Sequence, residues 1–226
     1  MTIATQPEVR FPVQEFAPPE QGQRVLLSDV TWPEYLAIGE ALRDRPGLRL
    51  TYDQGRLEIM TTSSTHERLK KRLGRFLETI AEECGVSILP AGNMTFQRED
   101  LKRGFEPDEC FWIAHEPQMR ARPDFDPTRD PPPDLTLEIE VTRSAQNRMA
   151  LFARLGVPEV WRFDGTTLQV HVLRPDGTYS EEDRSPTFPS VTIADIVPFL
   201  AFDPSQDYLT VVRAFRDWVR EQVSGS

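Results

Sequence analysis

Acidic residues recur at alternate positions in Asp134-Leu135-Thr136-Leu137-Glu138-Ile139-Glu140-Val141. Extended chain sends successive side chains to opposite faces, so the apolar residues share one face and Asp134, Thr136, Glu138 and Glu140 the other. A sheet face covered by a helix is ordinarily apolar, and buried carboxylates require cations, protonation or water. The wet face of an antiparallel sheet would show the same alternation. Two features favour chemistry over that simpler account. Glu106-Pro107-Asp108-Glu109 leads into the apolar stretch Cys110–Ala114, so proline fixes the chain at a strand entrance and Asp108 projects from a rigid element. Arg148 lies three and four residues before Leu151 and Phe152, on the inward stripe of an expected helix, where its guanidinium needs an anionic partner. Glu138 and Glu140 are the nearest carboxylates in sequence. Two carboxylates can hold Mg²⁺ (or Mn²⁺) through oxygen ligands. The ion then activates water against a phosphodiester while a nearby cation stabilises charge.

Further candidates open the longest expected helix. His66 lies seven and eleven residues before Leu73 and Leu77, within the apolar stripe, whereas Glu67 points about 130° away at ~100° per residue. Either can orient water at a site; Glu67 also suits a first turn, where the helix dipole favours acids. Lys70-Lys71-Arg72, with Arg68 and Arg75, is the densest basic cluster in the chain. Such a run is commonly a solvated face, but beside the site Lys70 and Lys71 are candidates for contact with a nucleic-acid backbone. His115 and His171 have no ligand-spaced partners and read as surface or strand histidines.

The elements that must position these groups are legible in outline. Residues 1 to about 27 hold four prolines and no periodicity, and read as an extended arm. Thr31 as N-cap, Pro33 in the first turn and Glu34 as capping-box acid start a helix that ends near Arg43. Leu48 to Met60 reads as a hairpin turning at Asp53-Gln54-Gly55. Leu69, Leu73, Phe76, Leu77, Ile80 and Cys84 follow a 3.6-residue period, which predicts an amphipathic helix over about 64–84. Short strands follow at 86–89, 94–97 and 109–113, then a Pro/Asp loop over 125–133 and the acidic strand over 134–141. A helix over about 145–155 stops at Gly156. Strands at 159–163, 168–173 and 179–182 turn at Asp164-Gly165 and Pro175-Asp176-Gly177. Helices over 193–200 and 206–223 close the chain. This order predicts one α/β domain with a mixed sheet over 28–203, followed by a C-terminal helix over 204–226. Trp161 is expected in its core.

Composition bounds the partners. With 36 acidic against 26 basic residues the net charge is −10, which argues against holding nucleic acid by bulk electrostatics; it leaves a nuclease open, because metal ions supply positive charge locally. No run is apolar enough to span a membrane, and the Pro-rich start lacks the pattern of a signal peptide. Cys84 and Cys110, in no CxxC spacing, are expected as free thiols in a reducing cytoplasm. Of the 26 basic residues only Lys70, Lys71 and Lys102 are lysines, so arginine is the default cation.

The spacing of Pro107-Asp108 and Glu138-Ile139-Glu140 follows the PD-(D/E)XK nucleases, with Glu140 standing in the lysine position. Leu57-Glu58-Ile59-Met60, Thr65-His66-Glu67-Arg68, Glu106-Pro107-Asp108-Glu109-Cys110, Pro133-Asp134-Leu135-Thr136-Leu137-Glu138-Ile139 and Leu155-Gly156-Val157-Pro158-Glu159-Val160-Trp161-Arg162 together resemble the Uma-type putative restriction endonuclease family, from about Thr31 to Leu200. The resemblance implies a restriction-endonuclease-like core and a Mg²⁺-dependent endonuclease acting on DNA. It also implies that Asp108 and Glu138 are the metal-binding acids, and that Arg148 occupies a position where the family carries lysine on the following helix. Glu140 is expected to add a metal ligand directly or through water. Arginine keeps its charge but never serves as a base. Two other functions fit the same residues: a non-catalytic interaction protein in which Arg148 pairs with Glu138 or Glu140, and a carboxylate-pair glycosidase. A homodimer is expected, since a duplex offers two strands and symmetric pairs are the commonest oligomers.

Overall fold

A computed structural model of the chain describes residues 23–45, 47–126, 130–140 and 147–225. The expected arm over residues 1–22, the end of the acidic strand at Val141 and the start of the next helix at Ala145 lie outside the described residues.

Two sheets carry the fold. The first is antiparallel, in the order β1 (Arg24–Leu27), β3 (Arg56–Thr61), β2 (Leu48–Asp53), β6 (Arg103–Phe105), β5 (Phe96–Arg98). The second runs β11 (Tyr179–Glu182), β10 (Leu168–Leu173), β9 (Glu159–Phe163), β8 (Leu135–Ile139), β7 (Glu109–Trp112), β4 (Leu89–Gly92), and is mixed because β8 and β9 are parallel. The β2–β3 hairpin turns where the sequence predicts, with Gln54 and Gly55 at φ 46° and 94°, the positive angles a two-residue turn needs.

Helix α1 (Trp32–Leu42) begins at Thr31, whose N–H donates to the Glu34 carboxylate at 2.7 Å. It lays Trp32 and Tyr35 on Leu50, Tyr52 and Leu57 of the first sheet. Tyr35 lies over Gly104 so closely that a Cβ there would sit 2.1 Å from the phenol oxygen, which is why β6 carries glycine opposite Tyr52. Helix α2 (Ser64–Cys84) packs Leu69, Leu73, Phe76, Leu77 and Ile80 against Leu135, Leu137 and Ile139 of β8. Helix α6 (Tyr208–Ser224) adds Val212, Phe215 and Val219 to the same core, with Phe215 stacked on Phe76 at 4.0 Å. On the opposite face of the second sheet, α4 (Arg148–Leu155) buries Leu151, Phe152 and Leu155 with Cys110, Trp112 and Val160. It ends at Gly156 in the left-handed conformation, φ 77°.

β8 is therefore buried on both faces, which the wet-face account of its acids does not allow. The short elements depart most from expectation. The last residues of the expected arm form β1; the strands expected at 86–89 and 94–97 lie at Leu89–Gly92 and Phe96–Arg98. β6 and the five-residue helix α3 (Glu116–Arg120) were not foreseen, and the helix expected over 193–200 starts as a 3₁₀ turn at Ile193–Ile196 before α5 (Val197–Leu200). Three- and four-residue strands are held by partners distant in sequence, so local pattern carries little of their position. Trp161 is fully buried, Cys84 and Cys110 are both free, and among the described residues no helix is long and apolar enough to cross a membrane.

Candidate active site

The two sheets meet at the entrance of β7. β7 and β8 pair Glu109 with Leu137, and continuing that register places Asp108 opposite Glu138, both on the α4 side of the sheet. Asp108 and Glu138 are 3% and 6% exposed. The Asp108 N–H faces Glu138 Oε1 at 3.4 Å, and the Ile139 N–H donates to Asp108 Oδ2 at 2.6 Å. Glu106 to Asp108 thus brings one carboxylate to the other through backbone contacts.

Cations surround the pair. Arg148, the first residue of α4, reaches Glu138 Oε2 at 2.8 Å and also donates to the Glu106 carbonyl at 3.0 Å and Thr51 Oγ1 at 3.2 Å. Asn147 caps the helix by accepting from the Ala150 N–H, which holds the arginine's backbone at the mouth of the site. Arg49 comes from β2 in the other sheet: its Nη1 lies 2.7 Å from Asp108 Oδ1 and donates to the Pro107 carbonyl at 2.9 Å. His66 enters from the first turn of α2, which Ser63 caps through the His66 N–H at 3.1 Å. Its Nε2 stands 3.1 Å from Asp108 Oδ2. The acid pair, Arg148, Arg49 and His66 line one cavity of about 220 Å³, together with Glu140 and Arg162.

The electrostatics follow from burial and pairing. Burial works against the Asp108 carboxylate, but the Arg49 charge and the His66 contact outweigh it and hold Asp108 below the ordinary carboxylate range. Glu138 moves the other way: burial and the Asp108 charge exceed the help of Arg148 and raise it. Opposite shifts of two neighbouring carboxylates arise in functional sites and in structural ion-pair networks alike. Burial opposes a charged His66, yet its contacts with Asp108 and Glu67 raise the imidazole to about 9.

The expected residues do not all fall in one place. Asp108, Glu138, Arg148 and His66 come together. Glu67 stands beside them at the surface, 2.7 Å from Lys70 and 3.4 Å from His66 Nδ1, and its contact with His66 keeps it strongly ionised. Glu140 lines the cavity, but its carboxylate is engaged by Arg162 of β9 rather than by the acid pair. Lys70 is 7% exposed and its ammonium lies 2.7 Å from the Glu67 carboxylate, so it is engaged by that acid rather than free on the helix face. Lys71 remains exposed, 3.5 Å from Glu109, and borders an adjoining groove of about 770 Å³ with Arg68, Arg72 and Phe202. Asp134, at the far end of that strand, is engaged away from the acid pair: it accepts from the Ile113 and His115 N–H groups and bonds His115 Nδ1 at 2.6 Å. Sequence reasoning missed Arg49 and Arg162. Arg49 sits on the polar side of a short alternating hairpin, which gives no local sign of burial; Arg162 follows Trp161 in a motif noted only for its resemblance.

Asp108 and Glu138 fit Mg²⁺ or Mn²⁺ by donor chemistry, since Mg²⁺ takes one or two protein carboxylates and completes its shell with water and substrate oxygens. Among the described residues no group of three or more His, Cys, Asp or Glu forms a fuller cage. Both carboxylates are already ion-paired, Asp108 with Arg49 and Glu138 with Arg148, so an ion bound there competes with the guanidinium groups.

A crystal structure titled as a putative nuclease belonging to DUF820, from Anabaena variabilis, is similar to the chain at a TM-score of 0.49 and 16% identity, covering 67% of this chain and 91% of that one. No curated protein matches. The family model described as "Uma2: Putative restriction endonuclease" matches residues 32–211. That span takes in every element described from α1 to the start of α6, and with it the acid pair and its arginines: the chain belongs to the Uma2 putative restriction endonuclease family.

Proposed function

We propose that the protein is a divalent-metal-dependent phosphodiesterase of the endonuclease type, acting on DNA at the cavity in front of Asp108 and Glu138. The observation that carries this reading is the buried acid pair itself, held side by side where stability alone would favour apolar residues. Asp108 and Glu138 would hold Mg²⁺ or Mn²⁺. Bound there, the ion would supply Lewis-acid activation of water and polarisation of the phosphodiester. Arg148 offers a permanent positive charge to the anionic oxygens of the substrate and takes no part as a base. His66 orients Asp108 through Nε2 and occupies the wall behind it. Glu67 keeps Lys70 and the Nδ1 side of His66 in place. Lys71, with Arg68 on the adjoining groove, extends positive charge along the path of a strand leaving the cavity, which an acidic chain needs locally. A homodimer would present one such site to each strand of a duplex.

Nicking of supercoiled plasmid with Mg²⁺ or Mn²⁺ tests this. Nicking is expected from the wild type and a loss of at least about a hundredfold in Asp108→Ala, the scale of removing one metal-ion contribution to charge stabilisation. An intact plasmid, together with a melting temperature indifferent to divalent ions, would overturn it.

A second reading is favoured by the Arg49–Asp108 and Arg148–Glu138 ion pairs: a nuclease-fold interaction protein in which guanidinium groups permanently replace the metal. It predicts that wild type and Asp108→Ala are equally insensitive to divalent ions.

A further inference from the structure

We propose that Arg49 is an exchangeable counter-ion: it neutralises Asp108 in the metal-free protein and turns to a substrate phosphate when a divalent ion takes its place. Metal and phosphodiester then bind cooperatively. The inference rests on the metal-dependent reading above and adds to it a residue and a coupling.

The geometry gives Arg49 two kinds of partner. Nη1 holds the Asp108 carboxylate at 2.7 Å and the Pro107 carbonyl at 2.9 Å, while Nη2 lies 3.9 Å from Glu67 Oε1. Its backbone belongs to β2, so nothing in the β7–β8 pairing depends on where the guanidinium points. The side chain is 4% exposed and lines the cavity. At roughly 30 Å³ per water, a cavity of about 220 Å³ has space for a phosphate group and several solvent molecules.

Charge supplies the driving force. Asp108 and Glu138 are matched one for one by Arg49 and Arg148. A divalent ion placed on the two carboxylates takes from Arg49 and Arg148 their close carboxylate partners and leaves them carbonyl and hydroxyl acceptors, with Glu67 at 3.9 Å from Arg49; an under-compensated buried charge is costly. Arginine cannot relieve that cost by losing its proton. An anion entering beside the ion can, and the planar fork of guanidinium donors suits phosphate oxygens. The ion should therefore bind weakly alone and more tightly with a phosphodiester, and linkage makes the effect reciprocal. A purely structural Arg49, tying β2 to the Pro107 carbonyl, predicts no such coupling.

Calorimetric titration of Mn²⁺ into the full chain, with and without dimethyl phosphate (a diester too simple to be a substrate), separates these outcomes. For the wild type the Mn²⁺ Kd should fall about fivefold or more when dimethyl phosphate is present. In Arg49→Gln, Mn²⁺ alone should bind more tightly than to wild type, because a competitor is gone, and the phosphate effect should shrink toward none. Arg49→Lys should restore part of it. An unchanged wild-type Kd with dimethyl phosphate overturns the exchange while leaving metal binding intact. Weaker Mn²⁺ binding by a folded Arg49→Gln does the same. Absence of Mn²⁺ binding under either condition removes the metal-dependent reading itself, and the exchange with it. The wild-type comparison stands even if Arg49→Gln does not fold.

Discussion

Between α2 and α6, Arg216 reaches Glu82 and Glu83 at 2.6 and 2.7 Å, and Arg220 reaches Glu83 at 2.9 Å. Between the two sheets, Arg49 and Arg148 reach Asp108 and Glu138 at 2.7 and 2.8 Å. The chemistry and distances are the same, but the surroundings are not. Side chains of the first set keep 16% to 56% of their surface in water; those of the second keep 4% to 13%. In water such pairs contribute little, because solvent and salt screen them. In the interior the cost of desolvation can exceed the attraction, and an apolar replacement of the same shape would often serve stability better. The helix pair therefore reads as surface trim on a dock already made by Phe76, Phe215 and Val219. The buried pair reads as machinery kept at a cost.

Arg148→Ala should produce the largest change. In metal-stripped protein it leaves Glu138 buried without its cation and should cost about 3–5 kcal/mol, measured by urea unfolding. A cost below about 1 kcal/mol would put this pair on the footing of a surface one and break the comparison.

The pH dependence comes next in size. His66 is raised from its usual 6.5 to about 9 in the folded protein, so folding favours its protonated form. Its contribution is complete below about pH 6.5 and is lost as the pH rises through about 9. The upper bound is about 3 kcal/mol at about 1.4 kcal/mol per pH unit. Urea midpoints of metal-free wild type and His66→Gln from pH 6 to 10 should converge on the alkaline side. Parallel curves would show that the imidazole gains nothing from Asp108. The surface set has the opposite sign: the Arg220 and Arg216 contacts lower Glu83, so its small contribution is present above the usual carboxylate range and lost as the pH falls through it.

Arg220→Ala should give the smallest effect, about 0.2–1 kcal/mol, and should vanish in 1 M salt, where the screening length is about 3 Å. An effect above about 2 kcal/mol that survives salt would make the surface contacts as consequential as the buried ones.

Legibility in the sequence divides along the same line. Asp108 and Glu138 could be read because a proline-led strand entrance and an alternating acidic strand are local patterns. Arg148 and His66 could be read because helical periodicity points them inward. Arg49 could not: Leu48-Arg49-Leu50-Thr51-Tyr52 alternates as a half-exposed strand does, and only the second sheet, packed on its polar side, buries the guanidinium. Lys70 is a case of the same kind, since a basic run looks solvated until its neighbours are in place. Glu140 shares a face with Glu138 by alternation, yet Arg162 across the parallel pair claims it.

By itself the sequence determined the long elements, the sign of their faces and the acids that make a site plausible. Periodicity and turn chemistry act over a few residues and survive in any context. Tertiary structure alone decided which cation meets which acid, because charges in low-dielectric surroundings are governed by distance across the fold rather than along the chain. The pairing of Arg49 with Asp108 joins residues from two sheets, and no local pattern encodes it.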